Sequence, residues 1–152
     1  KLADEYVRPA KLRDVVEIVP RLRQCDIAEC EALAGKGSVL SMAAATVYSS
    51  PMAMTYVRDG KVTAMFGVSG RLLDEDGSPW AFATDDVTGK AFVREGKRFL
   101  PQMLAMFNRL SNVVDVRNTK SIRWLKSLGF KFEPAVTMGR AGLPFYPFSM
   151  GD

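Results

Sequence analysis

At 152 residues, 47% apolar and 25% charged, the chain has the size and balance of one soluble globular domain spanning residues 1–152, which excludes a disordered tail and a multidomain assembly. It holds no histidine and two cysteines, so serine triads, Cys–His nucleophiles and histidine-containing zinc sites cannot be built from it, and no metal site is expected. Lys plus Arg number 21 against 17 for Asp plus Glu, a net charge of +4 with an isoelectric point near 9.2, but the cations are scattered along the chain; a polyanion is permitted as a partner, and a nucleic-acid arm is not expected.

The chain opens with charges and no apolar stretch behind them, so no secretion signal is expected. Glu5 to Arg8 reads as a strand closed by Pro9, and Leu12, Val15, Val16, Val19 and Leu22 then recur at helical spacing. Pro20 predicts a kink or break in that helix. A second short helix follows, capped by Asp26, running to about Ala34 and ended by Gly35 and Gly37. Cys25 and Cys30 fall on it without C-x-x-C spacing, and read as small packing residues in a reducing compartment rather than a redox pair. Ser38 caps a third helix that packs through Val39, Leu40, Met42, Ala43 and Val47.

Gly37 to Val57 is free of charge over 21 residues, close to the ~20 that a membrane span needs. Its serine and threonine hydroxyls and Pro51 argue against a span, and a buried helix followed by a buried strand is expected instead, with no membrane partner. Met52 to Arg58 and Val62 to Val68 flank Asp59-Gly60, a strong hairpin signal. Asp74 to Gly77 makes the next turn and Trp80 to Thr84 the next strand, which completes an antiparallel meander. A long helix then holds Phe92, Val93, Phe99, Leu100, Met103, Leu104, Phe107 and Leu110 on one face, kinked at Pro101. Asn112 to Val116 is a strand, Asn118 caps a helix through Leu128, and Gly129 sits where a left-handed residue ends it. Lys131 to Thr137 and Leu143 to Met150 are the last two strands. A helix between the fourth and fifth strands lets them lie parallel in an otherwise antiparallel sheet, and the place where such a pair splays apart is the expected site.

The segment Val114 to Phe130, strand then Asn118 then helix then Gly-Phe, resembles the GCN5-related N-acetyltransferase (GNAT) superfamily, as does the opening Val7-Arg8-Pro9-Ala10. Asn118 to Lys126, with Met65 to Val68, Pro79-Trp80 and Leu143 to Phe145, is similar to a phage branch of it, the internal virion protein A type, over about residues 5 to 148. The resemblance implies an α/β (α+β) fold with a mixed, mostly antiparallel sheet and helices on both faces, and acetyl-CoA as the cofactor if the protein is active, with no certain cofactor otherwise. It also implies virion or host proteins as partners, and the host cytoplasm or the virion as location.

The chain departs from that superfamily twice. The glycine-bearing loop that lets helix N–H groups approach a diphosphate is absent: Gly89 and Gly96 are seven apart between Thr84 and Arg98. The tyrosine that often protonates the leaving thiolate is replaced by Leu125. Asp85 and Asp86 are candidates for a general base, or else carboxylates that complement a helix dipole. Asn118, Arg94, Lys97 and Arg98 are candidates for binding the cofactor, with capping and core packing as the alternative for Asn118. Three functions stay open: a phage GNAT-fold protein of virion assembly or infection with a degenerate acyl-CoA site, an active N-acyltransferase acting on an amine or protein, and a module that binds a peptide by strand addition.

Overall fold

The structure, a computed structural model, describes residues 4–151. Its strands are β1 (Glu5–Pro9), β2 (Met52–Arg58), β3 (Lys61–Ser69), β4 (Asp76–Ala83), β5 (Arg109–Asp115), β6 (Lys131–Phe132), β7 (Val136–Met138) and β8 (Leu143–Gly151). Its helices are α1 (Leu12–Ile18), α2 (Gln24–Ala34), α3 (Val39–Tyr48), α4 (Gly89–Met106) and α5 (Thr119–Leu128), with a 3-10 turn over Val19–Arg21. One sheet runs β1-β2-β3-β4-β5-β8-β6, with β7 also paired to β8. Every pairing is antiparallel except β4 with β5, which are parallel across the α4 crossover as the element order predicts.

Helices cover both faces, and β3, buried along nearly its whole length, forms the centre of the core. On one face Val15 and Ile18 of α1 and Ala43 and Val47 of α3 pack on Val62 and Met65. On the other, Phe99 and Met103 of α4 and Leu125 of α5 pack on Phe66, Val68, Leu110 and Val114. The β2–β3 hairpin turns through Asp59 at φ 50° and Gly60 at φ 77°, two left-handed residues whose twist matches the strands. α5 begins and ends as expected: the Asn118 side chain accepts from the Ser121 N–H, and Gly129 is left-handed. Among the described residues no helix is long and apolar enough to cross a membrane.

Several local expectations are corrected. Asp26 does not cap α2; it sits in the first turn, buried, while Arg23 holds the cap position. Ser38 precedes α3, but its hydroxyl donates back to the Gly35 carbonyl and Leu40 is exposed. The break expected at Pro20 is present: α1 ends at Ile18 and Pro20 falls in the 3-10 turn. α4 continues through Pro101, which lies on its exposed side. β4 starts at Asp76 rather than after a turn through Gly77, because Asp76 accepts from Arg109 Nη1 (2.6 Å) and Ser111 Oγ (2.8 Å) of β5 while Gly77 pairs with Leu110. Leu110 accordingly belongs to β5, and Phe107 lies just past α4. The strand expected from Lys131 to Thr137 is two short ones, parted at Pro134.

Candidate functional site

β4 and β5 pair only through Asp76 with Arg109 and Gly77 with Leu110, and then diverge. Strand alternation fixes which backbone groups face the gap. Thr84 donates to Thr63 of β3 at 2.9 Å, so Ala83, Ala81 and Pro79 turn their groups the other way, toward β5. Ala83 is already engaged on both sides: its N–H donates to Asp26 Oδ2 (3.0 Å) and its carbonyl accepts from the Arg23 N–H (2.9 Å). Pro79 has no N–H, and its carbonyl accepts from Asn112 Nδ2 (2.9 Å). On β5, Val113 donates to Asn112 Oδ1 and Asp115 to Glu29 Oε1, each at 2.8 Å. Ala81 is thus the one β4 residue facing the gap with both backbone groups left over.

The side chains that fill the gap form one polar cluster between α2, the ends of β4 and β5, and the start of α5. Arg23 (4% exposed) grips Asp26 (8%) with two hydrogen bonds of 2.9 Å and reaches Ser121 Oγ at 3.3 Å. Asn118, 1% exposed, donates to Asp26 Oδ1 (3.3 Å) and Glu29 Oε1 (3.4 Å) while capping α5. Desolvation lifts the Glu29 pKa to about 7, against the hydrogen bond from the Asp115 N–H and with the help of the Asp26 charge. Burial would raise the Asp115 carboxyl as well, but the hydrogen bonds and charge of Arg117, at 2.6 Å, hold it below its ordinary value. Burial pushes both cysteine thiols up, so neither Cys25 nor Cys30 is poised as a thiolate.

Two cavities flank the cluster. One, of about 190 Å³, runs from the gap at Ala81, Asn112 and Glu29 to the space beneath α3 at Met42. The other, of about 400 Å³, lies between the start of α4 and α5, lined by Asp85, Gly89, Phe92, Lys120 and Arg123. Arg23 borders the second, Asp26 and Ser121 the first, and Trp124 both. Trp124 stacks on Phe92 (4.8 Å between centroids) and donates to the Phe92 carbonyl, while the Arg23 guanidinium lies 5.6 Å from the Phe92 ring centre. These residues wall one cavity from the other.

The larger cavity offers Lys120, Arg123 and the open space around Gly89 to phosphate groups. Along the β4 edge the backbone groups of Ala83 are taken by Arg23 and Asp26, and those of Ala81 remain open to the gap. Gly96 is a packing residue, its missing Cβ leaving room for Leu128 and Trp124.

Of the residues singled out from sequence, Asn118 lies in the cluster. Asp85 lines the larger cavity, ion-paired to Lys120 at 3.3 Å. Asp86 is exposed, and its carbonyl accepts from Arg58. Arg94 turns to Glu5 (2.8 Å) and Glu95 (2.9 Å), Arg98 to Glu95 (3.2 Å), and Lys97 is exposed; these three line neither cavity. Arg23, Asp26, Glu29 and Asn112 have no site role in the sequence reading. Arg23, Asp26 and Glu29 stand three apart, a polar stripe on one side of a short helix, and that was the available signal.

No protein-family model matches the sequence, and no curated protein does either. Solved structures do match in fold. An acetyltransferase of the GNAT family from Streptococcus pneumoniae is 15% identical, with 97% of this chain and 99% of that one covered at a TM-score of 0.66. The ribosomal-protein-S5-alanine acetyltransferase from Vibrio fischeri is 17% identical, covering 99% and 97% at 0.67. The spermidine N-acetyltransferase from Vibrio cholerae, solved in complex with CoA and spermine, is 13% identical, covering 97% and 95% at 0.69. With its mixed sheet, parallel β4–β5 pair and helices on both faces, the chain has the fold of the GNAT acetyltransferases.

Proposed function

We propose that the chain is a phage GNAT-fold protein that serves virion assembly or infection and does not transfer acyl groups, its acyl-CoA cleft being degenerate. The carrying observation is the occupation of Ala83 by Arg23 and Asp26, which takes up the end of the β4 edge next to the larger cavity and leaves Ala81 as its open residue. The absent glycine loop and the leucine at position 125 support the same reading, and the likeness of Asn118 to Lys126 to the internal virion protein A type supports the phage role. Calorimetry with acetyl-CoA near physiological salt tests the cleft: no binding is expected, and a Kd below roughly 10 µM, more than about 7 kcal/mol, overturns the reading. Deleting the gene from its phage tests the role. Infectious yield should fall and be restored equally by the native chain and by Glu29→Gln, and restoration by the native chain alone overturns a role free of catalysis.

A second reading, N-acyl transfer to an amine, is favoured by Glu29 itself. A carboxyl with a pKa of about 7 that lines a cavity has the proton affinity of a general base for an amine. Acyl transfer that survives purification and is lost in Glu29→Gln would put this reading first.

A further inference from the structure

Arg23 and Asp26 stand where an extended ligand would pair with the sheet. We infer that the segment Leu22–Asp26 is an internal gate, a piece of the chain's own backbone and side chains bound to β4 in place of a ligand, whose release joins the two cavities into one channel. The inference rests on the closed-cleft reading above and concerns what holds the cleft closed.

Three observations carry it. First, the segment binds the end of β4 with backbone and side chain together: Leu22 bridges Thr84 antiparallel and the extended Arg23 donates its N–H to the Ala83 carbonyl, while the carboxylate of Asp26, in the first turn of α2, takes the Ala83 N–H. Both backbone hydrogen-bonding groups of Ala83 are thus satisfied by residues three apart in sequence, where a docked extended ligand would otherwise supply them. Second, the segment is the partition. Arg23 faces the larger cavity and Asp26 the smaller, with Ser121 and Trp124 completing the wall, and beyond that wall Ala81 keeps a backbone N–H and carbonyl turned into the gap. Third, the gate has one pivot. Its hold across to α5 runs from Arg23 to Ser121 (3.3 Å) and from Asn118 to Asp26 (3.3 Å), while its own strength is the two-point grip of Arg23 on Asp26. An anionic ligand entering the larger cavity meets Arg23 beside Lys120 and Arg123, so it competes with Asp26 for the guanidinium that keeps the segment on β4.

Replacing both partners together avoids leaving one buried charge unpaired, so the first variant is Arg23→Ala with Asp26→Ala. Amide exchange at Ala83 reads the gate directly, with Thr84 as the internal reference because its N–H donates to β3. Calorimetry with acetyl-CoA and with CoA reads the channel. The variant should exchange Ala83 at least about tenfold faster than the parent with Thr84 unchanged, and bind CoA at least about tenfold more tightly. A folded variant with Ala83 still protected and no gain in binding overturns the gate and leaves the closed-cleft reading standing. A parent that already binds CoA tightly overturns the closed-cleft reading. In that case the gate stands if Ala83 loses protection in the complex, and falls if it does not. Arg23→Lys keeps the charge and gives up the two-point grip. It serves if the double variant does not fold, with the same two readouts expected to move in the same direction, and no movement in either overturns the gate.

Discussion

Burial of Glu29 beside Asp26 and Asp115 ties the stability of the fold to pH. Its pKa rises from an ordinary 4.5 to about 7, so between those values the unfolded chain gives up a proton that the folded chain keeps. Stability therefore falls as pH rises through that window, by up to roughly 3 kcal/mol, and is level above it. Glu29→Gln keeps an acceptor for the Asp115 N–H without a charge to bury, and urea titrations from pH 4.5 to 8 should find the slope gone and the variant more stable than the parent at pH 8. The opposite dependence belongs to Asp14. Burial works to raise its pKa, and Arg8 (2.7 Å), the Lys11 N–H and Thr55 outweigh it, so its contribution is present above its ordinary 3.8 and is lost as pH falls through the folded value. Asn118→Ala removes a cap and two donors to carboxylates together, and should cost about 2–3 kcal/mol in urea unfolding where a cap alone would cost about 1. A cost near that of a cap alone would mean that the contacts to Asp26 and Glu29 contribute nothing.

At the scale of elements, what was legible in the sequence was local. Asp59-Gly60 marks its hairpin and Asn118 and Gly129 mark the ends of α5 because a turn or a cap is decided by neighbouring residues. The extent of α2 was legible too, but the role of its polar residues was not, for the converse reason. Arg23, Asp26 and Glu29 are satisfied by Ser121, Ala83, Asp115 and Asn118, between 57 and 98 residues away in the chain, and a charged stripe with distant partners looks in sequence like a solvated one. The start of β4 was hidden in the same way, since Asp76 and Gly77 form a turn signal that pairing with β5 overrides. Gly77 is required there: a Cβ on it would stand 2.4 Å from the Phe107 ring and 2.7 Å from Val68. Gly77→Ala should destabilise by about 2 kcal/mol, as overpacking does, and unchanged thermal unfolding would show that Phe107 swings aside at little cost.

Over the whole molecule, the scatter of cations along the sequence becomes an asymmetry in space. α4 carries Lys90, Arg94, Lys97 and Arg98 against Glu95, and α5 carries Lys120, Arg123 and Lys126 with no acid, so these two helices hold a surplus of six charges while the rest of a chain with a net charge of +4 is negative by two. Both helices pack on one face of the sheet, which makes the basic isoelectric point largely the property of that face and biases anions toward the larger cavity.

The short joint between β4 and β5 also bears on how the chain folds. Two residue pairs hold these strands, whereas β3 with β4 is paired over six and β5 with β8 over seven. The sheet therefore consists of two blocks, a first one of β1 to β4, in which β2, β3 and β4 follow one another directly and β1 pairs with β2 across three helices, and a second one of β5 to β8, coupled through a narrow seam and the helices that straddle it. Blocks joined so sparsely open separately. In low urea, Val114 and Tyr146 should lose protection together through a partial unfolding that leaves Thr55 and Ala64 closed, and a single unfolding free energy shared by all four residues would mean that the seam transmits cooperativity as well as a continuous sheet does.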